Sequence, residues 1–293
     1  MADEYAIALG IFDGVHLGHK AVIGEALKYK SMGLKTGIFT FSAEDMRIKQ
    51  GRELHYILDN NSKLDMLKSM GVDTILCPKF NDVKNMSGLE FAKDILSNRM
   101  HAKVVVCGQR FRFGKSATCD HNDLIDYGKT FGFTVKVMQS IASNGGIVSS
   151  SKIRTLLSEG NVKEANALLG YNYYINKLVV HGTQIGRTIN VPTINQLFGE
   201  RQVIAKFGVY RSITTIDGIE YPSMTNVGVK PTVTNEGVPV AETHIIGYSG
   251  DLYNRVVRVS LYDYVRPEHK FNSIEELKQA IYNDIAVCSC KQS

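Results

Sequence analysis

The stretch Gly10-Ile11-Phe12-Asp13-Gly14-Val15-His16-Leu17-Gly18-His19 decides the fold of the first half of this chain. It follows a short apolar segment, Tyr5 to Leu9, and precedes alternating apolar and polar residues from Ala21 to Met32, as where a strand passes through a loop into a helix. The core of the stretch is the pattern H-x-G-H. Two imidazoles beside a helix N-terminus, where backbone N–H groups already favour anions, are suited to binding phosphate. The stretch therefore predicts nucleotide chemistry.

Composition limits the classes of partner. The 293 residues, 44% of them hydrophobic, are enough for two ordinary domains. The net charge of +5 is small and the Lys and Arg residues are spread along the chain, so we expect phosphate ligands and no nucleic acid. The sequence has no apolar run of transmembrane length and no secretion-type start, which predicts no membrane partner and a cytoplasmic location. Five cysteines without paired metal spacing predict buried, reduced thiols.

Strand-like and helix-like runs alternate from the N-terminus to about Gly170. The strand-like runs are Tyr5 to Leu9, Lys35 to Phe41, Asp73 to Cys77, Lys103 to Cys107 and Phe133 to Met138. The helix-like runs are Val22 to Met32, Asn61 to Ser69, Leu89 to Arg99 and Asn122 to Phe131. This rhythm predicts an α/β domain with an open parallel sheet. Ligands bind such sheets at the carboxyl ends of the strands, so Gly10 to His19 and Gly108 to Gly114 are expected to share a cleft.

The pattern changes in the second half of the chain. Two short helical segments, Ser151 to Ser158 and Val162 to Leu169, come first. The strand-like runs that follow are Lys177 to Val180, Val209 to Ile216, Tyr221 to Val227, Ala241 to Ile246 and Val256 to Tyr262. They predict a mostly antiparallel, barrel-like domain closed by an amphipathic helix from Ser273 to Ile285. A boundary near Tyr171 to Asn176 gives two domains, residues 1–170 and 176–293.

Two stretches in the first half supply candidate site residues. His16 and His19 are suited to stabilising charge on phosphate oxygens, and Gly18 lets the backbone approach a nucleotide. Val148 to Arg154 places serines before two cations at a helix start, which suits β/γ-phosphates and pyrophosphate. The candidates in this second stretch are Ser150, Ser151, Lys152 and Arg154. The ordinary alternatives are a pair of helix-capping or surface histidines and a common helix start.

A second phosphate loop lies between strands in the other half. Its candidate residues are Gly182, Gly186, Arg187 and Thr188, whose amides and side chains are able to wrap a polyphosphate. Pro192 then fixes a turn, so that Thr193 and Asn195 offer hard oxygens on one side for Mg²⁺ or a phosphate. The alternative is an ordinary loop between strands.

The chain resembles the prokaryotic bifunctional riboflavin kinase/FAD synthetase family over nearly its whole length. Gly10 to His19 matches the family pattern G-x-F-D-G-V-H-x-G-H, Gly108 to Gly114 matches G-x-x-F-R-F-G, and Val148 to Arg154 matches I-S-S-T-R-I-R. The resemblance implies a Rossmann-like nucleotidyltransferase domain that transfers AMP from ATP to FMN, giving FAD and pyrophosphate with Mg²⁺ assisting. It further implies that ATP binds at Gly10, Phe12 and Asp13, and flavin at Phe111, Arg112 and Phe113.

The second half resembles the riboflavin kinase module of the same family, whose signature is a Gly-rich loop, G-R-T and then F-P-T-A-N. The resemblance implies a six-stranded antiparallel barrel in which Thr193 and Asn195 hold Mg²⁺ and ATP phosphates. It implies that Glu242 accepts the proton of the ribityl 5′-hydroxyl of riboflavin, and that Arg266, Glu268 and Phe271 lie near the flavin. Without these flanking patterns, Glu242 reads as a solvated strand residue, and Arg266 with Glu268 as a surface ion pair.

Three interpretations follow. The leading one is a bifunctional enzyme that makes FMN and then FAD. The second keeps only the kinase and a degenerate first domain, because Ile11, Ser42 to Asp45 and Arg110 depart from the family pattern. The third is a non-catalytic regulator that binds flavin or RNA. The diffuse charge and the presence of Glu242, Thr193 and Asn195 disfavour the third.

Overall fold

A computed structural model describes residues 3–42, 45, 48–49, 52–53, 55–143, 146–182, 191–230 and 237–289. The chain divides into two compact units, Met1–Ser150 and Ser151–Ser293. The two short helices that follow Ser150 therefore belong with the second unit. The boundary expected near Tyr171 to Asn176 lies after these helices and stays a prediction.

The first unit is built on a five-stranded parallel sheet with the strand order β5-β2-β1-β6-β7. Its strands are β1 (Tyr5–Leu9), β2 (Lys35–Phe39), β5 (Thr74–Leu76), β6 (Ala102–Gly108) and β7 (Thr134–Met138). Two short hairpins stand apart from it, β3 (Ile48–Lys49) with β4 (Arg52–Glu53), and β8 (Ala142–Ser143) with β9 (Gly146–Ile147). Leu9 at the end of β1 pairs in register with Phe39 and with Cys107. The carboxyl ends of β1, β2 and β6 therefore lie together at one edge, which confirms the predicted parallel sheet.

Helices connect these strands. They are α1 (Leu17–Lys28) with a 3₁₀ turn (Tyr29–Met32), α2 (Asn60–Ser69), α3 (Phe80–Val83), α4 (Gly88–Glu90) continued as a π-helix (Phe91–Arg99), a 3₁₀ turn (Lys115–Ala117) and α5 (His121–Phe131). Apolar side chains of the sheet pack against the π-helix and α5, with Val105, Phe91 and Leu124 in one buried cluster. The helix α1 begins at Leu17, five residues before the predicted start, because the side chain of His16 caps its N-terminus.

The second unit is a closed six-stranded barrel with two helices before it and one after it. Its elements are α6 (Ser150–Glu159), α7 (Val162–Leu169), β10 (Tyr174–Val180), β11 (Ile194–Leu197), β12 (Gly208–Ile216), β13 (Ile219–Lys230), β14 (Val238–Ile245), β15 (Val256–Arg266) and α8 (Ile274–Ser289). The strands close in the order β10-β11-β14-β13-β12-β15, and the pairs between them are antiparallel. The six-stranded antiparallel barrel is confirmed. Strand β11 was not among the predicted strands.

Hydroxyl groups fill part of the barrel interior. Ser212 Oγ and Thr225 Oγ1 lie 2.8 Å apart, Thr225 Oγ1 and Thr243 Oγ1 also 2.8 Å apart, and all three residues are buried. Each buried hydroxyl thus has a hydrogen-bond partner. Met224, the neighbour of Thr225 on β13, points the other way and packs against Cys288 of α8. Helix α8 therefore covers the outside of the barrel, and Asn226 shares that outer face with Met224.

The protonation of the cysteine thiols is set by their burial. The four described cysteines are free, and Cys107 and Cys288 are buried. Burial raises the pKa of Cys107 to about 12 and that of Cys288 to about 12, so both are protonated at neutral pH. Cys290 lies outside the described residues. Within those residues, no helix is both long enough and apolar enough to cross a bilayer.

Candidate active sites

The loop from Gly10 to His19 leaves the carboxyl end of β1 in an unusual backbone conformation. Phe12 and Val15 have φ angles of 53° and 35°, in the left-handed region that bulky residues seldom occupy. The ring of Phe12 is 1% exposed and lies against Gly10, where a Cβ atom would sit 2.8 Å from Phe12 Cε1. Only glycine fits at that position. Phe12, predicted to bind ATP, is buried within the loop. Its ring packs edge-on against the ring of His19, with 5.3 Å between the centroids.

His16 and His19 form one unit at the start of α1. Nδ1 of His16 accepts the backbone N–H of His19 at 3.2 Å, and the two rings are stacked with centroids 3.5 Å apart. A nitrogen that accepts a hydrogen bond carries no proton, so a neutral His16 carries its proton on Nε2. The capping alternative and phosphate binding are thus compatible, because capping uses Nδ1 and makes Nε2 the donor. Gly18 lies against the same ring, 3.1 Å from its Cε1 atom.

Asp13 joins this loop to two other segments. Its carboxylate, 2% exposed, accepts the backbone N–H of Ile57 at 2.9 Å. Its carbonyl oxygen accepts the hydroxyl of Ser150 at 2.9 Å. The two predicted stretches of the first site therefore meet through Asp13 and Ser150. Ser151 and Lys152 follow in the first turn of α6, and Arg154 begins its second turn.

The candidate flavin residues after β6 have three different environments. Phe113 is buried and packs on Phe91, 5.5 Å between ring centroids. Phe111 is half-buried and stacks on Phe113 at 5.7 Å. Arg112 is exposed and pairs with Asp120 at 3.5 Å. Of the three, the ring of Phe111 is the one that combines an aromatic face with solvent access at the edge where β1 and β6 end.

A row of polar side chains crosses the outer face of the barrel. Asn195 of β11 is in register with Glu242 of β14, and Glu242 is in register with Asn226 of β13. Directly opposite residues of antiparallel strands have Cβ atoms about 4.5–5.5 Å apart. Asn226 Nδ2 then donates to Glu268 Oε1 at 3.0 Å. The structure thus brings the predicted residues Asn195 and Glu242 together. Asn226, which was not among the predicted site residues, lies next to Glu242 and links it to the predicted Glu268.

Gly182, the one predicted phosphate-loop residue that the structure describes, lies beside this row. Gly182 follows β10 and lies against Asn195, since a Cβ on Gly182 would sit 2.5 Å from Asn195 Nδ2. His244 Nδ1 lies 2.8 Å from the carbonyl oxygen of Pro192, which fixes the turn before Thr193. Gly186, Arg187 and Thr188 lie outside the described residues.

Arg266 and Glu268 do not pair with each other. The guanidinium of Arg266 donates from Nε and Nη2 to Asp284 of α8, the shortest bond being 2.7 Å, and lies 5.7 Å from the ring of Phe271. Glu268 instead lies over Gly228, where a Cβ would be 2.2 Å from Oε1. The surface-pair alternative is therefore wrong, and Arg266 ties the end of β15 to the closing helix.

The comparisons with known proteins cover both halves of the chain. Residues 1–152 match the family model for FAD synthetase, and residues 169–290 match the family model for riboflavin kinase. A relative from Buchnera aphidicola, described as a bifunctional riboflavin kinase/FMN adenylyltransferase, is 32% identical over 96% of this chain and 91% of its own. The chain belongs to the bifunctional riboflavin kinase/FMN adenylyltransferase family. Relatives with the same description from Listeria monocytogenes and Escherichia coli are 32% and 31% identical, each over 95% of this chain.

A solved structure shares the fold of this bifunctional family member. It comes from Streptococcus pneumoniae, is described as a macrolide-efflux protein, is 29% identical and gives a TM-score of 0.86. The match covers 100% of this chain and 96% of the other. The likeness shows that the solved chain has the same architecture as this one.

The donor set of the barrel row fits the Mg²⁺ that the kinase family implies. Among the described residues, no group of three or more His, Cys, Asp or Glu side chains is placed to hold a metal. Mg²⁺, however, is commonly held by one or two protein oxygens together with substrate phosphates. The amide oxygen of Asn195, the hydroxyl of Thr193 and the carboxylate of Glu242 are hard oxygens of that kind. The first two are the residues predicted as metal ligands.

Proposed function

We propose that each unit carries one of the two activities of the bifunctional family. The barrel unit transfers the γ-phosphoryl group of ATP to riboflavin and yields FMN. The first unit transfers AMP from ATP to FMN and yields FAD and pyrophosphate. The register that aligns Asn195, Glu242 and Asn226 carries the kinase assignment, because it places one carboxylate between two amides on the outer face of the barrel.

Glu242 is the proton acceptor of the kinase reaction. A primary alcohol that attacks a γ-phosphate needs a positioned acceptor and in-line geometry more than a strong base. Glu242 is half-buried and held by pairing on both sides of its strand. Asn195 lies beside it, and Gly182 lies against Asn195, so the ATP phosphates approach from this side. Gly186, Arg187 and Thr188 complete the phosphate loop, while Arg266, Glu268 and Phe271 border the flavin.

Thr193 and Asn195, together with the ATP phosphates, would hold Mg²⁺, which would offset phosphate charge when bound. The protein residues supply the remaining work. Asn195 lies directly opposite Glu242, and His244 Nδ1 lies 2.8 Å from the carbonyl oxygen of Pro192, the residue before Thr193, which supports a role for Thr193 beside Asn195.

Adenylyl transfer uses the H-x-G-H loop. His16 donates from Nε2 and His19 lies stacked against it, both at the N-terminus of α1, where donors favour the developing charge on the α-phosphate. Ser150, whose hydroxyl donates to the carbonyl oxygen of Asp13, is linked to this loop, and the pyrophosphate roles of Ser151, Lys152 and Arg154 stay predictions from the sequence. The flavin ring of FMN lies on Phe111, the accessible ring of the Gly108 to Gly114 stretch.

One assay tests both activities and the kinase-only alternative. Purified full-length protein is given riboflavin, ATP and Mg²⁺, and the products are separated by chromatography. FMN and FAD together support the proposal, FMN alone supports the kinase-only alternative suggested by Ile11, Ser42 to Asp45 and Arg110, and the absence of both overturns it.

Glu242→Gln then tests the separation of the sites. We expect FMN formation to fall by about 10²–10⁴-fold, the usual contribution of a positioned base, while conversion of added FMN to FAD is unchanged. Glu220→Gln, at an exposed position of β13, is the matched control and leaves both rates unchanged. If both reactions fell together in a folded Glu242→Gln protein, separate sites would be wrong. The cytoplasmic location and the absence of a nucleic-acid partner stay predictions.

A further inference from the structure

Lys63 is the most deeply buried charged side chain near the adenylylation loop. It lies on α2 and is 0% exposed. An ammonium group removed from water is tolerated when protein acceptors replace its hydration. Nζ of Lys63 donates to the carbonyl oxygen of Phe41 and lies 3.5 Å from both the carbonyl oxygen of Ile11 and Thr40 Oγ1.

These acceptors stand where β1 and β2 end. Ile11 follows β1, and Thr40 and Phe41 follow β2, so the ammonium joins two neighbouring strands at their carboxyl edge. Thr40 Oγ1 also donates to the carbonyl oxygen of Ile11, at 2.8 Å. Two donors therefore meet on the carbonyl of the residue that opens the H-x-G-H loop.

The segment before α2 makes a second hydrogen-bonded contact with the same loop. The backbone N–H of Ile57 donates to the carboxylate of Asp13, two residues after Ile11. Between these two points stands Phe12, at a φ of 53°. Backbone in a sparsely populated region persists only where surrounding contacts hold it, and such strain is characteristic of functional loops.

We propose that Lys63 is a positioning residue for FMN adenylylation, acting through the carbonyls of Ile11 and Phe41 to hold the loop that presents His16 and His19. The proposal rests on the function proposed above for the first unit. It also gives Ile11 a role that does not depend on its side chain, because the contact is made by its backbone oxygen.

Lys63→Met tests this, since methionine fills the site without a donor or a charge. We expect kcat for FAD formation from FMN to fall by about 10–100-fold, the usual effect of displaced catalytic groups, with KM for FMN changed less than about threefold. FMN formation in the barrel is the internal control and stays unchanged. Lys68→Met, on the same helix with a lysine side chain 68% exposed, is the matched control and keeps both rates.

Assays run well below the melting temperature of each variant separate positioning from stability. A purely structural role would leave kcat at the wild-type value wherever circular dichroism shows the protein folded, and that result would overturn the proposal. Wild-type protein that forms no FAD from FMN would instead overturn the proposed function itself.

Thr40→Val covers the case in which Lys63→Met does not fold. It removes the other donor to the Ile11 carbonyl, and we expect kcat to fall by about 3–10-fold with KM for FMN unchanged. Where both variants fold, their combined effect is less than the product of the single effects, because both act on one oxygen atom. Wild-type kcat in folded Thr40→Val, or fully multiplicative effects, would contradict the proposal.

Discussion

The imidazole ring of His16 lies parallel to that of His19, with planes 17° apart, while its Nδ1 accepts the backbone N–H of the same residue. The same side chain thus caps the start of α1 through Nδ1 and, when neutral, carries its proton on Nε2. Two positively charged rings with centroids 3.5 Å apart would repel each other, so the stack favours at most one imidazolium.

Two substitutions at His16 separate capping from catalysis. Asparagine is among the best N-cap residues, so His16→Asn is expected to keep the melting temperature of the protein, whereas His16→Ala loses about 1 kcal/mol of stability. Both lack the Nε2 donor, and both are expected to lower kcat of FAD formation by about 10²–10³-fold. Full activity in His16→Asn would mean that the ring serves only as a cap.

Asn226 is expected to control the carboxylate of Glu268. Its removal in Asn226→Ala leaves Glu268 without this donor, and we expect kcat/KM for riboflavin to fall by about 10-fold, as for a lost hydrogen bond to a charged group. Asn226→Asp sets a third carboxylate between Glu242 and Glu268 and is expected to lower kcat/KM further. Steady-state kinetics of FMN formation measure both effects. An unchanged kcat/KM for riboflavin in Asn226→Ala would show that Asn226 has no role in the kinase site.

The ion pair between Arg266 and Asp284 is expected to stabilise the barrel. Asp284 is 7% exposed at its side chain, so Asp284→Ala leaves the guanidinium without its carboxylate partner and lowers the unfolding free energy by about 2–3 kcal/mol, less than for a fully buried pair. Arg255→Ala breaks the exposed pair with Asp217 and is expected to change the unfolding free energy by less than about 1 kcal/mol. Scanning calorimetry compares the two. Equal shifts would contradict the difference in burial.

Asp73 is expected to give the first unit a pH-dependent contribution to stability. Hydrogen bonds from the Thr36 backbone N–H, at 2.7 Å, and from Lys30 hold the pKa of its carboxyl below the usual 3.8. The folded state thus favours the ionised form, and this stabilisation is present above the unfolded pKa and lost as pH falls through the folded one.

Asp73→Asn is therefore expected to lower the melting temperature at pH 7. The difference from wild type narrows below about pH 4, where the wild-type carboxyl also becomes protonated. Asp65→Asn, at a carboxylate 77% exposed, is the control and has little effect at either pH. A difference that stayed constant down to the acid limit would argue that the carboxylate charge is not involved.

The sequence predicted the elements whose patterns are local. The run from β1 through the H-x-G-H loop into α1 is apolar, then rich in glycine, then amphipathic, and each part matches its structure. Strand β11 was missed because its inward side chain is Gln196, which is buried and donates to the carbonyls of Lys177 and Val257. A polar residue in the interior breaks the alternation by which half-buried strands are recognised.

Contacts between distant parts of the chain explain the positions whose burial the sequence did not predict. On β13 the interior positions are Ser223 and Thr225, while Met224 faces outward, because hydroxyl pairs fill the interior and α8 covers the outside. In the same way, a lysine in a short amphipathic helix is normally a surface residue. The burial of Lys63 follows from the oxygen acceptors at the ends of β1 and β2, which the sequence pattern of α2 does not reveal.

The row formed by Asn195, Glu242 and Asn226 is set by strand register, and this ties the proposed kinase activity to correct closure of the barrel. Asn226 and Glu242 come from consecutive strands and Asn195 from a strand well before them, so the three meet only when β11, β14 and β13 pair. A slip of one residue in β14 would turn Glu242 into the interior and Thr243 out. A barrel that has collapsed but not yet closed in register would therefore be inactive. We therefore expect a one-residue insertion within one of these strands to abolish FMN formation, and an insertion in a loop between them to be tolerated.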